Sequence, residues 1–461
     1  MVKDLRELKH IRRETPNGGQ VYVLDTGAVI NAEAEAMLQA LHSRSIGGLR
    51  HHLDILEEKG ADNFMKNFYV GYGHKSIGDC GSTTLFIEGV SMLAAKAIQD
   101  SRLYSGQEAS TRYIDFSQQP FIDPMNNAVG KKILEDQRAF YLSLLDPIKE
   151  DLMKKYPQQE WEKDPIKYQK AINARAFDIA RGFLPAGAAT NLAWHSNLRQ
   201  ISDRLLFLRH HPLEEVRGIA ETIEDAVIEA HPNSFLNKDG EKVRYPETEA
   251  YQDLIAENYF HHRYSASNTN HIDIGSSINQ GITSAYKTSA YKSLFNKRPP
   301  KTDLPKFLSQ LGQVYATFNL DFGSFRDIQR HRAIDQRMPL VTTEIGFNDW
   351  YMDNLPEQEQ IRARNFLKGI KEQIDGLDIS HEEKQYFVPM GSNTSNKISG
   401  DLPAMVYMVE LRTTRFVHPT LRRVARKIGE YIRDEINVPI HFDEEPDMFD
   451  IRRGEHDITI N

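Results

Sequence analysis

Apolar residues recur at three- and four-residue steps in two long stretches of the chain. Leu213, Val216, Ile219, Ala220, Ile223 and Val227 form one series; Leu421, Val424, Ala425, Ile428, Ile432 and Ile436 form the other. That period predicts amphipathic helices. The segments around Ile133–Leu152 and Ile361–Ile374 carry it too, with more polar residues between the apolar ones. Short apolar runs, Val21–Leu24, Thr84–Ile87 and Met405–Val409, predict strands. The mixture predicts an α+β fold.

The order of features repeats. FLPAGAATNLAW (Phe183–Trp194) precedes LFLRHHPLEEVRGIA, and FVPMGSNTSNKISG (Phe387–Gly400) precedes VELRTTRFVHPTLRRVA. Each has an apolar-Pro start, then Leu-Arg (Leu208-Arg209, Leu411-Arg412), then a helix whose second turn carries Arg217 or Arg422. Pro185 and Arg209 are 24 positions apart, Pro389 and Arg412 are 23. This shared layout predicts a duplicated domain. The turn-rich stretch Asn237–Pro246 places the boundary near residue 245, giving domains 1–245 and 246–461. Tyr259–Leu294, rich in Ser, Asn and Tyr, reads as an irregular polar surface.

Length and charge narrow the classes. With 461 residues the chain can hold two or three domains. A net charge of −8 without a long basic run argues against a nucleic-acid partner. The single cysteine, Cys80, excludes an intramolecular disulfide and a cysteine metal site, and reads as a small buried hydrophobe. The pairs His51-His52 and His210-His211 lack a third ligand at metal spacing, so no metal is expected. The charged start, Met1–Glu7, is not expected to be a signal peptide, and no stretch has the apolar length of a membrane span. A cytoplasmic protein is the expectation.

Two short motifs carry the chemistry. In SGQEASTRY (Ser105–Tyr113), Glu108, Ser110 and Arg112 alternate with small residues, so an extended backbone points all three one way. In RHRAIDQR (Arg330–Arg337) three cationic or titratable side chains stand in a row. With GHKSIGDC (Gly73–Cys80) and FIEGVS (Phe86–Ser91), these resemble the flavin-dependent thymidylate synthases. That family's signature is R-H-R-x-x-S-x-N-E-x-S-x-R, preceded by G-H-x-S-x-x-E-H. On the first half it falls on Asp100, Ser101 and Arg102 for R-H-R, then Ser105, Gln107, Glu108, Ser110 and Arg112. On the second half Arg330, His331 and Arg332 match R-H-R, but Asp335, Arg337, Met338, Leu340 and Thr342 fill the other places. The halves are reciprocally degenerate, as if one signature were split between two copies. The family's E-H reads Asp79-Cys80. Its later L-P, N-x-R, L-R and E-I-R elements read Leu184-Pro185, Asn197-Leu198-Arg199, Leu208-Arg209 and Glu215-Val216-Arg217, with Pro389, Leu411-Arg412 and Arg422 in the second half.

The resemblance implies two tandem domains, each a small mixed or antiparallel sheet with long helices. It implies methylation of dUMP at C5 with methylenetetrahydrofolate and NADPH through FAD, at sites between subunits of a tetramer. A tandem chain would then be a homodimer with two live composite sites. Arg330, Arg217 and Arg422 are the catalytic candidates. Gln107, Glu108, Ser110 and Arg112, with Arg217 and Arg422, would hold the nucleotide, because forked guanidinium donors suit a phosphate. His74, Ser76, Asp79, Arg102, Ser105, Asn197, Arg199, Arg209, Arg330, His331, Arg332 and Arg412 would serve the flavin, whose reduced form favours nearby cations. Plainer readings stand beside these: an exposed strand edge for Glu108–Arg112, a solvated face for Arg330–Arg332, a snorkelling role for Arg217 and Arg422. Trp350-Tyr351 reads as core. Gln107, and Ala97 and Asp327 where the family has Gln, leave room for another uridine nucleotide. A flavin- or nucleotide-binding homologue without catalysis is the remaining alternative.

Overall fold

The computed structural model describes residues 10–24, 30–43, 48–71, 75–109, 116–159, 164–260, 271–278 and 291–444. The chain forms two compact units, Met1–Ala109 with Ala189–Tyr259, and Ser110–Ala188 with Phe260–Asn461. A single cut at 245 does not delimit them, because 110–188 groups with the later residues.

In chain order the first part contributes β1 (His10–Glu14), β2 (Gln20–Leu24), β3 (Ser82–Ser91), α1 (Met92–Gln99), β4 (Ser105–Glu108), α2 (Ala128–Lys155) and α3 (Pro165–Ala180). Then come β5 (Ala189–Asn197), α4 (Leu198–Arg209) and α5 (Glu214–Ala230). The later part contributes β6 (Ile272–Ile278), β7 (Gly312–Asp321), α6 (Phe322–Ile328), β8 (Asp335–Arg337) and α7 (Glu357–Asp375), then β9 (Asn393–Asp401), α8 (Leu402–Arg412) and α9 (Pro419–Asp434). The fold is α+β, with one antiparallel sheet in each unit. Their orders are β1-β2-β3-β5-β4 and β6-β7-β9-β8. Among the described residues no helix is long and apolar enough to cross a membrane.

The order β3-α1-β4, β5-α4-α5 recurs as β7-α6-β8, β9-α8-α9, and the local chemistry recurs with it. A side chain ending the strand caps the helix each time: Ser91 accepts from Ala94 N and Asp321 from Ser324 N; Asn197 accepts from Gln200 N and Asp401 from Ala404 N. Edge registers match as well. Ser105 faces His195 and Gln107 faces Ala193; Asp335 faces Ser399 and Arg337 faces Lys397. The first sheet differs by a bulge between Ile87 and Val90, where Gly89 takes a φ of 68° that favours glycine.

Within the second unit, the segments Gly182–Gly187 and Tyr386–Gly391 exchange backbone hydrogen bonds. Ala186 N donates to Val388 O (2.9 Å) and Gly187 N to Tyr386 O (2.8 Å). Met390 N donates to Leu184 O and Gly391 N to Gly182 O, both at 2.8 Å. A shift of 204 positions (186 to 390, 187 to 391) turns the first pair into the second with donor and acceptor sides exchanged. Pro185 and Pro389 bridge at the centre. This is the reciprocity of a two-fold contact, here inside one chain. Around it Phe140 stacks on Phe366 at 3.9 Å, Phe183 lies 4.9 Å from Phe347, and Gln137 Nε2 donates to Phe387 O at 2.9 Å. The close approach needs glycine: a Cβ on Gly182 would lie 2.7 Å from the Tyr351 ring.

Two sequence expectations are corrected. Met405–Val409 is not a strand but lies inside α8, with Met405, Val406, Met408 and Val409 buried. A short apolar run has no period that separates strand from helix; the decisive signals are Asp401 as cap and Pro403 in the first turn. The segment Asn393–Asp401, whose polar residues predict no element, is the buried strand β9, with Asn393, Thr394 and Asn396 wholly covered. Ile272–Ile278, inside the stretch read as irregular, is β6. The expected helical series lie in α2, α5, α7 and α9, apart from Leu213 and Ile436 just outside α5 and α9, and Tyr351 is core. Cys80 is half-buried; burial, then the carboxylates of Asp79 and Glu35, push its thiol up.

α8 is anchored by a buried charge pair. Glu410 accepts from Arg298 Nη1 at 3.0 Å and from the backbone N–H of Lys301 (2.7 Å) and His441 (3.0 Å). Burial opposes its charge, but the Arg298 hydrogen bond and these two amides win and hold its carboxyl below the usual value. The end of α8, which carries Arg412, is therefore rigidly placed.

Candidate functional site

The R-H-R triplet occupies the turn after α6. His331 N closes on Ile328 O at 2.9 Å, and Gln336 Nε2 donates to the carbonyls of Ile328 (2.9 Å) and His331 (3.0 Å), fixing the turn from β8. Arg330 points outward, its side chain 45% exposed, with Asp327 at a loose 3.7 Å. Arg332 is half-buried. His331 is buried and accepts at Nε2 from Arg412 Nε at 2.6 Å. Burial first, then the cations of Arg412 and Arg330, drive its pKa down to about 3 against the pull of Asp327. The sequence reading of His331 as a third cation is therefore corrected: it is a neutral imidazole at any ordinary pH.

The matching turn of the first unit carries different chemistry. Asp100 accepts from the Tyr259 phenol at 3.1 Å, and the Tyr259 ring lies 4.7 Å from His211 and 5.6 Å from Phe207. Lys96, one turn before, is buried and lies 5.7 Å from the same ring; burial chiefly lowers its pKa. Arg204 donates to Ala97 O. Burial first, then Lys96, Arg204 and Arg217, push the pKa of His211 well down. Sequence reasoning missed this cluster, because Lys96, Arg204 and Tyr259 come together only through the fold.

On β4, Ser105 and Gln107 are exposed, and half-buried Glu108 accepts from Gln99 Nε2 at 2.8 Å. His195, opposite Ser105, meets Thr84 Oγ1 at 3.0 Å. Arg102 is exposed. Asp79 and Arg199 do meet, at 2.9 Å, with Asp203 at 3.6 Å from the same guanidinium. Ser76 is exposed on the short helix Lys75–Gly78, and the Asn197 oxygen caps α4. Arg217 donates to the carbonyls of His211 (2.8 Å) and Pro212 (2.9 Å). Arg422 is buried, donating to Thr413 O and Asp443 O at 2.8 Å, which gives it a structural duty in the C-terminal segment. His74, Ser110 and Arg112 lie outside the described residues.

The two Leu-Arg dipeptides are not equivalent in space. Arg412 is 11 positions past its capping residue Asp401, Arg209 is 12 past Asn197. One residue turns a helix by about 100°. Leu208, wholly buried, therefore stands where Arg412 stands, and Arg209 is swung toward Glu224 (3.0 Å) and Glu249 (2.9 Å). There it lines a pocket of about 120 Å³ with Arg199, Arg244 and Tyr245. Burial opposes the Glu224 charge, yet Arg244 and Arg209 lower its pKa overall.

Residues 29–233 match the family model described as "Thymidylate synthase complementing protein". Over this stretch, less than half of the chain, the sequence is similar to that family. A protein of Clostridium tetani named flavin-dependent thymidylate synthase is 27% identical over 40% of this chain and 72% of its own length. Proteins named UPF0159, one from Chlamydia pneumoniae and one from Thermoplasma acidophilum, are longer matches. The first is 27% identical over 83% of this chain and 84% of its own. The second is 24% identical over 89% and 93%. These names state no activity, but the matches run through both halves. The matched stretch includes the Gly73–Cys80 and Ser105–Tyr113 motifs and agrees with the resemblance drawn from them.

Proposed function

We propose that this chain is a tandem flavin-dependent thymidylate synthase, with copies at 1–245 and 246–461, that methylates dUMP at C5 using methylenetetrahydrofolate and NADPH. The observation that carries the reading is the common register of β4 on β5 and β8 on β9. It makes Asp100–Arg102 and Arg330–Arg332 topological counterparts, one lacking R-H-R and the other lacking E-x-S-x-R. The two surviving parts act on one bound nucleotide and cofactor, and the chain works as a homodimer.

The donor set fits FAD. Arg330 offers an outward guanidinium whose nearest ion-pair partner among the described residues is a loose 3.7 Å contact, which suits an anionic, acceptor-rich group. FAD when bound supplies the relay of reducing equivalents from NADPH. Arg330 and Arg332 hold and orient it, with His331 as a neutral neighbour. Arg112 and Ser110 take the nucleotide phosphate, and Glu108, steadied by Gln99, accepts a hydrogen bond from the base or ribose. Arg217 keeps further donors beyond the two carbonyls it caps.

Asp327 favours a second reading within the same class. Its carboxylate sits beside Arg330 where the family has a neutral amide, so another uridine nucleotide would be taken in place of dUMP. The test is thymidylate formation by the purified chain. Product is expected only when dUMP, methylenetetrahydrofolate, NADPH and FAD are all present. Product from a different uridine nucleotide alone would move the conclusion to the second reading. Flavin binding without any product would leave a catalytically inactive homologue.

A further inference from the structure

We infer that Arg412 is a positioning residue that locks His331 as the neutral tautomer protonated on Nδ1. The central residue of the R-H-R triplet then serves its ligand as a neutral group with one fixed donor, not as a cation. The inference deepens the proposed reading of Arg330–Arg332 as a ligand-binding triplet, and in its functional sense rests on it.

The geometry leaves one solution. Arg412 Nε lies 2.6 Å from His331 Nε2. A guanidinium has donors and no acceptor, and it stays charged in proteins. Nε2 must therefore supply a lone pair, and a neutral imidazole with a bare Nε2 carries its proton on Nδ1. The groups facing the ring are Arg412 and Tyr407 from α8, Asp327 from α6 and Arg330 from the turn itself, with the Tyr407 ring 6.4 Å away. Two cations against one carboxylate, in a buried position, oppose a second proton.

Comparison of the halves supports a paired function. In the first unit His331 is replaced by Ser101 and Arg412 by Leu208, so neither partner of the contact survives without the other. An arginine kept only to end a helix would not need the histidine. The rigid seat of α8, through Glu410 and Arg298, holds the guanidinium at the required distance.

The test is ¹⁵N NMR of the histidine rings in the full chain, with His331 identified among the 17 histidines by the signal lost in His331→Asn. The expected spectrum shows a protonated Nδ1 and a bare Nε2, unchanged between pH 5 and 8. In Arg412→Met the ring, still buried, is expected to exchange between the Nδ1–H and Nε2–H tautomers and to take up its second proton at a higher pH than in the wild type; Arg412→Lys, which keeps a donor, is expected to preserve the Nδ1–H form. A wild-type ring protonated on Nε2, or one that titrates between pH 5 and 8, overturns the inference even if the variants fail to fold. An unchanged spectrum in folded Arg412→Met overturns it too. No flavin or substrate enters this measurement, so a chain that binds no FAD yet shows the Nδ1–H ring would refute the proposed function and leave this inference standing.

Discussion

Arg330→Ala and Arg112→Ala are each expected to lower thymidylate formation by at least about 10²–10³-fold, the usual effect of removing one preorganised donor from a charged site. The reason is the division of the signature. Arg330 belongs to the only R-H-R triplet, and Arg112 ends the only E-x-S-x-R; neither has a copy to substitute for it. If both act on one bound nucleotide and cofactor, the double variant is expected to be no worse than the sum of the two effects and closer to either single change. Arg330 is 45% exposed and only loosely paired, so its truncation should leave the folded chain intact by circular dichroism. The counterpart of Arg112 in the second half, Thr342, is the control, and Thr342→Ala is expected to stay within about twofold of wild type. Full turnover by either arginine variant would mean that the split signature is wrong.

The second large effect concerns folding. A chain cut at 245 is expected to yield a C-terminal piece, 246–461, that does not fold alone, although the sequence places a domain boundary there. Its core is completed by residues 116–188. Phe366 stacks on Phe140, Phe347 packs on Phe183, Arg175 lies 5.0 Å from the Trp350 ring, and Arg362 donates to Ser143 at 3.0 Å. Four backbone bonds between Gly182–Gly187 and Tyr386–Gly391 would also be lost. Each exposed large apolar side chain forfeits about 1.5–3 kcal/mol, and each stranded backbone group costs about 1–3 kcal/mol where it stays buried. Together these are comparable with the roughly 5–15 kcal/mol that holds a domain folded. Co-expressed 1–245 and 246–461 should instead copurify. A soluble 246–461 fragment with a cooperative thermal transition would contradict this.

Much of this architecture is legible in the sequence, and the failures have physical causes. The helices α2, α5, α7 and α9 show because an amphipathic surface needs a 3.6-residue period. Met405–Val409 misleads because a helix buried on most sides shows no such period. β9 escapes notice because Asn393, Thr394 and Asn396 are buried polar residues, tolerated only through bonds such as Asn396 Nδ2 to Thr394 O at 2.8 Å. At the candidate site, the residue types of the triplet are visible in the sequence but not their states. Only the fold brings Arg412 to His331, and only a count from the helix caps separates Arg412 from Arg209. The cluster of Lys96, Asp100, Arg204, His211 and Tyr259 draws on residues up to 163 positions apart and leaves no local pattern.

The most direct measurement is the flavin-to-chain ratio of the purified protein saturated with FAD, read from its visible absorption. One FAD per chain is the expected result, because each chain carries one R-H-R and one E-x-S-x-R. Two per chain would mean that each half holds its own flavin, which contradicts the split signature and keeps the family; none would contradict the proposed function itself.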